Sequence, residues 1–161
     1  MTIKMLRVDD RLIHGQVVMK WTRTIGANLI VVPNDRVAKD PLQQSLMRMA
    51  APPGVAVELL AVDDAAQKLI SGIWSNKSVF VIVHDPIDLL RLLEKGLQVD
   101  KINIGNASGG TGKVRLTKVI HATPEELQAW KNLDEMGLSL EAQALPGEGK
   151  TNINQVLQKL D

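Results

Sequence analysis

The chain has 161 residues, of which 45% are hydrophobic and 23% charged, with 19 Lys+Arg against 18 Asp+Glu. That balance excludes a disordered or fibrous chain, and a domain of this length buries roughly 70% of its unfolded surface, enough for a core of its own. The absence of cysteine excludes disulfide or thiolate frameworks, and a net charge of +1, with one Phe, three Trp and no Tyr, argues against a nucleic-acid surface.

Strand-length apolar runs alternate with stretches of helical period, which predicts an α/β domain. The expected architecture is one open, mainly parallel sheet with helices on both faces, residues 1–161 forming a single domain. Ile3 to Val8 is the first predicted strand. A helix follows from Gly15 to Ile25, with Val17, Val18, Trp21 and Ile25 on one face, and Leu29 to Pro33 is the second strand. Asp40 caps a helix with Pro41 in its first turn. Leu42, Leu46, Met49 and Ala50 form its expected apolar stripe, and Pro52-Pro53-Gly54 stops it.

Val55 to Val62 is the third strand, before a helix with Leu69, Ile70 and Ile73 turned inward. Val79 to Val83 has the unbroken apolar character of a buried parallel strand. Asp85-Pro86 then starts a helix that runs to Gly96, and Lys101 to Gly105 is the fifth strand. Asn106 to Lys113 is glycine-rich and reads as a loop. Val114 to Ile120 reads as a further strand, and Thr123-Pro124-Glu125-Glu126 opens a helix carrying Leu127, Trp130 and Leu133 inward as far as Gly137. Leu138 to Leu145 is the last predicted strand, and Asn152 to Leu160 a tail helix.

The opening MTIKMLRVDDRL has no apolar run of signal-peptide length, and no run approaches the roughly 20 residues of a membrane span. A cytoplasmic protein is expected.

In open parallel sheets, ligands bind beyond the carboxyl ends of the strands. The first such loop, Asp9 to Gly15, packs two acids, Arg11 and His14 into a short segment. A neutral imidazole can attack phosphorus or take a proton, a guanidinium offers a planar fork for phosphate oxygens, and Gly15 would let helix-start amides meet an anion. The competing reading makes His14 a hydrogen-bonded, core-facing histidine and the charged residues a solvated loop.

His84 ends the fourth strand, where capping Asp85 is the simpler role, and His121 reads as peripheral. The dispersed histidines predict no metal site. Gly105 to Lys113 departs from the phosphate-loop pattern, with Ala107 at its first glycine and Val114 where Ser or Thr should stand, so no nucleotide is expected. Lys113 and the Asn106 amide are candidate anion contacts there.

The stretch Arg7-Val8-Asp9-Asp10-Arg11-Leu12-Ile13-His14-Gly15-Gln16-Val17 resembles the IIB components of the mannose, fructose and sorbose class of the bacterial sugar phosphotransferase system. The likeness continues through Trp21, Gly26-Ala27-Asn28, Asn34-Asp35, Ala51-Pro52-Pro53-Gly54 and Ile102-Asn103-Ile104-Gly105-Asn106. It implies a phosphocarrier in which His14 accepts a phosphoryl group from a histidine of a IIA partner and passes it to a sugar during uptake through IIC and IID membrane subunits.

By the same likeness Arg11 steadies the phosphoryl oxygens and Asp10 orients the loop or imidazole, with Asp9 equally able. The resemblance points to Nδ1 as the phosphorylated atom, to no cofactor, and to peripheral association with the inner membrane face through IIC and IID. A homo-oligomer is compatible with it. Some mannose-type members carry a basic residue at the position of Gln43, so a second cationic phosphate contact is either missing or supplied by Lys113. The Gln43-Gln44 pair and Gly105-Asn106 resemble the N-acetylgalactosamine and galactosamine branch.

Two other classes compete. A receiver-like signalling domain, phosphorylated on aspartate, would use Asp9-Asp10 and Asp63-Asp64 to hold magnesium. A non-catalytic interaction module would use the His14 loop only for docking.

Overall fold

The structure, a computed structural model, describes residues 2–160. The strands are β1 (Thr2–Asp9), β2 (Leu29–Pro33), β3 (Ala56–Leu60), β4 (Ser78–Val83), β5 (Lys101–Asn106), β6 (Val114–Arg115), β7 (His121–Ala122), β8 (Ser139–Ala142) and β9 (Thr151–Asn152). The helices are α1 (Gly15–Ile25), α2 (Pro41–Ala50), α3 (Val62–Ser71), α4 (Pro86–Glu94), α5 (Pro124–Glu135) and α6 (Ile153–Gln158). Seven strands form one sheet in the order β3-β2-β4-β1-β5-β8-β9, parallel throughout except for the antiparallel β8–β9 pair.

Because successive strand residues point to opposite faces, the apolar runs feed two cores. Leu6, Val8, Val31, Val79, Val81, Val83, Ile102 and Ile104 pack with Leu69, Leu89, Trp130 and Leu157 from α3 to α6. Ile30, Val32, Phe80 and Ile82 pack on the other face with Val18, Trp21 and Met47 from α1 and α2. Helices therefore cover both faces, as the alternation predicts. β1 connects through α1 towards β2, whereas the adjacent β4 connects through α4 towards β5 on the other side. The diverging crossovers open a crevice at the carboxyl ends of β1 and β4.

Several expectations are corrected. Most of the predicted apolar stripe of α2 faces solvent: Leu42, Leu46 and Met49 are 69%, 51% and 82% exposed, while Ala50 packs against the core and Met47 is buried. The Asp40 cap and the Gln44 amide, which donates to the Val37 carbonyl, set the rotation of this short helix and turn Met47 inward. Ile70 is also exposed on α3, and so is Ile73, which the left-handed turn at Gly72 carries off the helix.

Val114 to Ile120 is not one strand. Val114–Arg115 pairs with His121–Ala122 and Ile120 makes a single bridge to Ala107, while between them the Thr117 hydroxyl accepts from the Val119 and Ile120 amides and folds the segment into a tight turn. β3 stops at Leu60 because Val62 already begins α3, and β8 stops at Ala142, after which the carbonyls of Gln143 and Ala144 turn to Arg7.

Gly105 lies in buried β5, as expected, and the strand runs one residue further, through Asn106. A Cβ at Gly105 would lie inside the contact distance of the Arg7 guanidinium and the Asp9 carboxylate. An inward-facing glycine in a strand leaves room for just such a close approach. Gly105→Ala is expected to lower stability by about 3 kcal/mol or more, since it must displace a buried ion pair. Urea unfolding followed by circular dichroism measures this.

Candidate functional site

The site is built on the carboxyl end of β1. Arg7 and Asp9 share a strand face and are 1% and 0% exposed. The Arg7 Nη1 donates to the Asn103 side-chain oxygen and, at 3.0 Å, to the Gln143 carbonyl. Its Nη2 donates to Asp9 Oδ2 and to the Ala144 carbonyl, each at 3.1 Å. The guanidinium carbon lies 5.6 Å from the Trp21 ring centroid, and the Trp21 indole N–H also donates to the Ala144 carbonyl. Burial pulls the Arg7 pKa below its ordinary value, opposed by the Asp9 charge.

Asp9 takes a second cation from the loop. Its Oδ1 accepts the Arg11 backbone N–H and Nε–H at 3.0 Å, and its Oδ2 accepts Arg11 Nη2 at 3.0 Å. Arg11 is thus gripped along one edge of its fork, with its side chain 42% exposed. These hydrogen bonds raise the Arg11 pKa further. One buried carboxylate lies between two guanidiniums, so the cluster keeps a net positive charge directed at the cleft.

Asp10 faces the other way. Its Oδ1 accepts from the Asn106 amide at 2.8 Å and its Oδ2 from the Ser108 N–H at 2.7 Å. Burial pushes this carboxyl up, but those donors outweigh it and leave the pKa below the ordinary value. Lys113 Nζ donates to the Ser108 carbonyl at 2.8 Å, in the same glycine-rich loop. Asp10 and Lys113 therefore organise that loop, and Asp9 is the acid that holds Arg11.

Leu12 and Ile13, each 4% exposed, anchor the loop in the core of the α1 and α2 face. His14 follows as the N-cap of α1, whose first turn carries no acid, so the helix start favours an anion. Its ring is half-buried, with Nδ1 2.9 Å from the Leu12 carbonyl. Gly15 opens the helix at φ +40.

A cleft of about 630 Å³ beside this loop is lined by Asp10, Arg11 and Leu12 together with His84, Asp85 and Asp88 from the end of β4 and the start of α4. A second cavity, of about 680 Å³, lies at the opposite, amino end of β1 and β5 and has no histidine in its wall. His84 Nδ1 contacts Asp85 Oδ2 at 2.9 Å, and this partner raises the His84 pKa. Asp85 also caps α4 by accepting the Ile87 and Asp88 amides. His121, the first residue of β7, packs against the glycine-rich loop, its Nδ1 3.1 Å from the Ala107 carbonyl.

The receiver arrangement is not assembled. Both Asp9 oxygens are filled by arginine donors, and Asp63 and Asp64 stand in the first turn of α3, after edge strand β3, which β2 and β4 separate from β1. Arg7, Asn103 and the Gln143 and Ala144 carbonyls were given no role by sequence reasoning. Gly105, inside an otherwise apolar strand pattern, was the available signal.

Asp88 is held up to about 6 from 3.8, chiefly by burial and then by the Asp85 charge. Its folded pKa exceeds the unfolded one, so stability is fully present below about pH 4 and is lost as pH rises towards 6. Asp88→Asn is expected to be more stable than the parent by roughly 1–2 kcal/mol above pH 6, with the gap closing near pH 4. Thermal unfolding of both proteins across that range measures the gap.

Comparison with known proteins places the site in context. Residues 3–161 match the family model described as "PTS system sorbose subfamily IIB component". The N-acetylgalactosamine-specific phosphotransferase enzyme IIB component 2 of Escherichia coli K12 is 34% identical over 158 residues, covering 96% of this chain and 98% of that protein. The mannose-specific EIIAB component of the same strain is 29% identical over 161 residues, and this chain spans 50% of it. The crystal structure of the IIBSor domain of the Klebsiella pneumoniae sorbose permease superposes with a TM-score of 0.94 at 32% identity, covering 100% of this chain and 99% of that one.

Proposed function

Because this chain belongs to the sorbose-subfamily IIB components of the sugar phosphotransferase system, we propose that it carries the phosphoryl group on His14, accepting it from a IIA phosphohistidine and delivering it to a sugar hydroxyl at IIC and IID membrane subunits. The observation that carries this reading is an imidazole at an acid-free helix start, in the loop where buried Asp9 clamps Arg11 at the sheet's switch point. The mannose-specific relative, an EIIAB component, joins the two kinds of unit in one protein, which supports a IIA partner. The sorbose and N-acetylgalactosamine relatives are similarly distant and favour neither sugar. Among the described residues no helix is long and apolar enough to cross a membrane. From its family, and not from that absence, we assign the membrane step to partners and this chain to their cytoplasmic side.

In the first transfer, a lone pair of the His14 imidazole forms an N–P bond as the donor's N–P bond breaks. The electron pair returns to the donor ring, and one proton passes through solvent from His14 to the donor, leaving both rings neutral. In the second, a sugar hydroxyl oxygen forms the O–P bond as the His14 N–P bond breaks, the N–P electrons return to the His14 ring, and the hydroxyl proton passes to that ring, restoring the neutral imidazole. Charge on the equatorial oxygens is the main demand of such transfers. Arg11 meets it with the edge that Asp9 leaves uncovered, and the α1 start with Gly15 adds backbone donors. Asp10 and Lys113 fix the neighbouring glycine-rich loop, which borders the docking surface.

Purified chain supplied with phosphoenolpyruvate, the general carriers and a cognate IIA is expected to take up an acid-labile, alkali-stable label that His14→Ala lacks. Label retained by that variant would contradict the assignment. Arg11→Ala is expected to slow labelling about 10- to 100-fold, with little recovery in Arg11→Lys because lysine cannot grip Asp9 along two bonds. Rapid-quench kinetics compare the three.

A further inference from the structure

Neither ring nitrogen of His14 can react in the position that the structure gives it. Nδ1 lies 2.9 Å from the Leu12 carbonyl, and a carbonyl only accepts, so Nδ1 carries the proton. The lone pair is then on Nε2, which is buried and has no hydrogen-bond partner. An attacking nitrogen must approach phosphorus to roughly 3–3.5 Å in line with the leaving group. A buried atom that water does not reach is closed to a phosphoryl group.

The backbone on either side of the ring is unusual in a matching way. Leu12 is the one non-glycine residue with positive φ among the described residues, at +58, and Gly15 has φ +40. Leucine enters that region at a cost, and here its buried side chain holds it there. A Cβ at Gly15 would meet nothing within 4 Å, so the demand for glycine is conformational and not steric. Two positive-φ residues thus bracket Ile13 and His14, with open space at the second.

We propose that this is a closed state in which the phosphoryl acceptor is stored, and that docking of the phosphoryl donor releases His14 by rotation about the Leu12 and Gly15 backbone. The inference rests on the phosphocarrier reading of His14. Phosphorylation at either nitrogen requires the open state: at Nδ1 it replaces the proton given to Leu12, and at Nε2 there is no room for the group. An acceptor that opens only against its partner is protected from stray phosphoryl donors, and opening also presents the carried group to the next acceptor.

Carbethoxylation by diethyl pyrocarbonate, which needs an accessible imidazole lone pair, tests this at mildly alkaline pH with N-acetylhistidine as standard in the same tube. In the wild-type chain His14 is expected to react at least tenfold more slowly than the standard, read by peptide mass spectrometry. Gly15→Ala, whose side chain disfavours φ +40, is expected to raise that rate several-fold while circular dichroism and the His84 rate stay unchanged. Nitrogen-15 spectra of the wild-type ring, which need no variant, are expected to show the Nδ1–H tautomer. A His14 rate equal to the standard, an Nε2–H tautomer, or a folded Gly15→Ala no faster than wild type would each overturn the closed state. Failure of the phosphocarrier reading is separate and would show as no label on His14 in the relay.

Discussion

A single carboxylate, that of Asp9, holds the site together. It is fully buried between two guanidiniums, and a buried charge persists only when its partners satisfy it with good geometry. Arg7 ties Asp9 to β5 through Asn103, to the chain leaving β8 through two carbonyls, and to α1 through the Trp21 face. Arg11 ties it to the solvent side of the loop. The cluster couples sheet, helix and loop in one network, and it needs the missing side chain at Gly105 to fit.

That network explains why the loop after β1 can be both positioned and functional. Leu12 and Ile13 sink into the core on one side of His14, and α1 begins on the other, so the imidazole is placed by backbone packing. Arg11 receives its orientation from Asp9 without losing its charge to the interior. Phosphoryl transfer asks for placement and charge compensation more than for covalent chemistry from the protein; under the proposed carrier role Arg11 supplies the charge, and the Leu12 to Gly15 backbone governs the placement of His14. The neighbouring acids are committed elsewhere: Asp10 to the glycine-rich loop, Asp85 to His84 and the start of α4.

The fold was legible because its parallel strands are long apolar runs and its helices carry strong caps at Asp40, Asp85 and Thr123. Where the reading failed, long-range contacts decided. The stripe of α2 has helical period, but the rotation of that helix is set by Gln44 reaching Val37, which periodicity cannot register. Likewise the core loop motif was readable as chemistry, yet the choice between Asp9 and Asp10 was not, since adjacent residues on a strand end point to opposite sides and only the sheet shows which side holds Arg7. The roles of Asn103 and of the Gln143 and Ala144 carbonyls depend on β5 and β8 lying beside β1, many residues away in sequence.

The most direct measurement of this account is the rate of phosphoryl transfer from phosphorylated IIA to the chain in Asp9→Asn and Asp10→Asn, each checked for folding by circular dichroism. If Asp9 is the charge that aims Arg11, Asp9→Asn should lose about 100-fold in rate while Asp10→Asn, which loosens only the glycine-rich loop, stays within about fivefold of the parent. A folded Asp9→Asn that transfers at the parent rate, with Asp10→Asn collapsed, would contradict it.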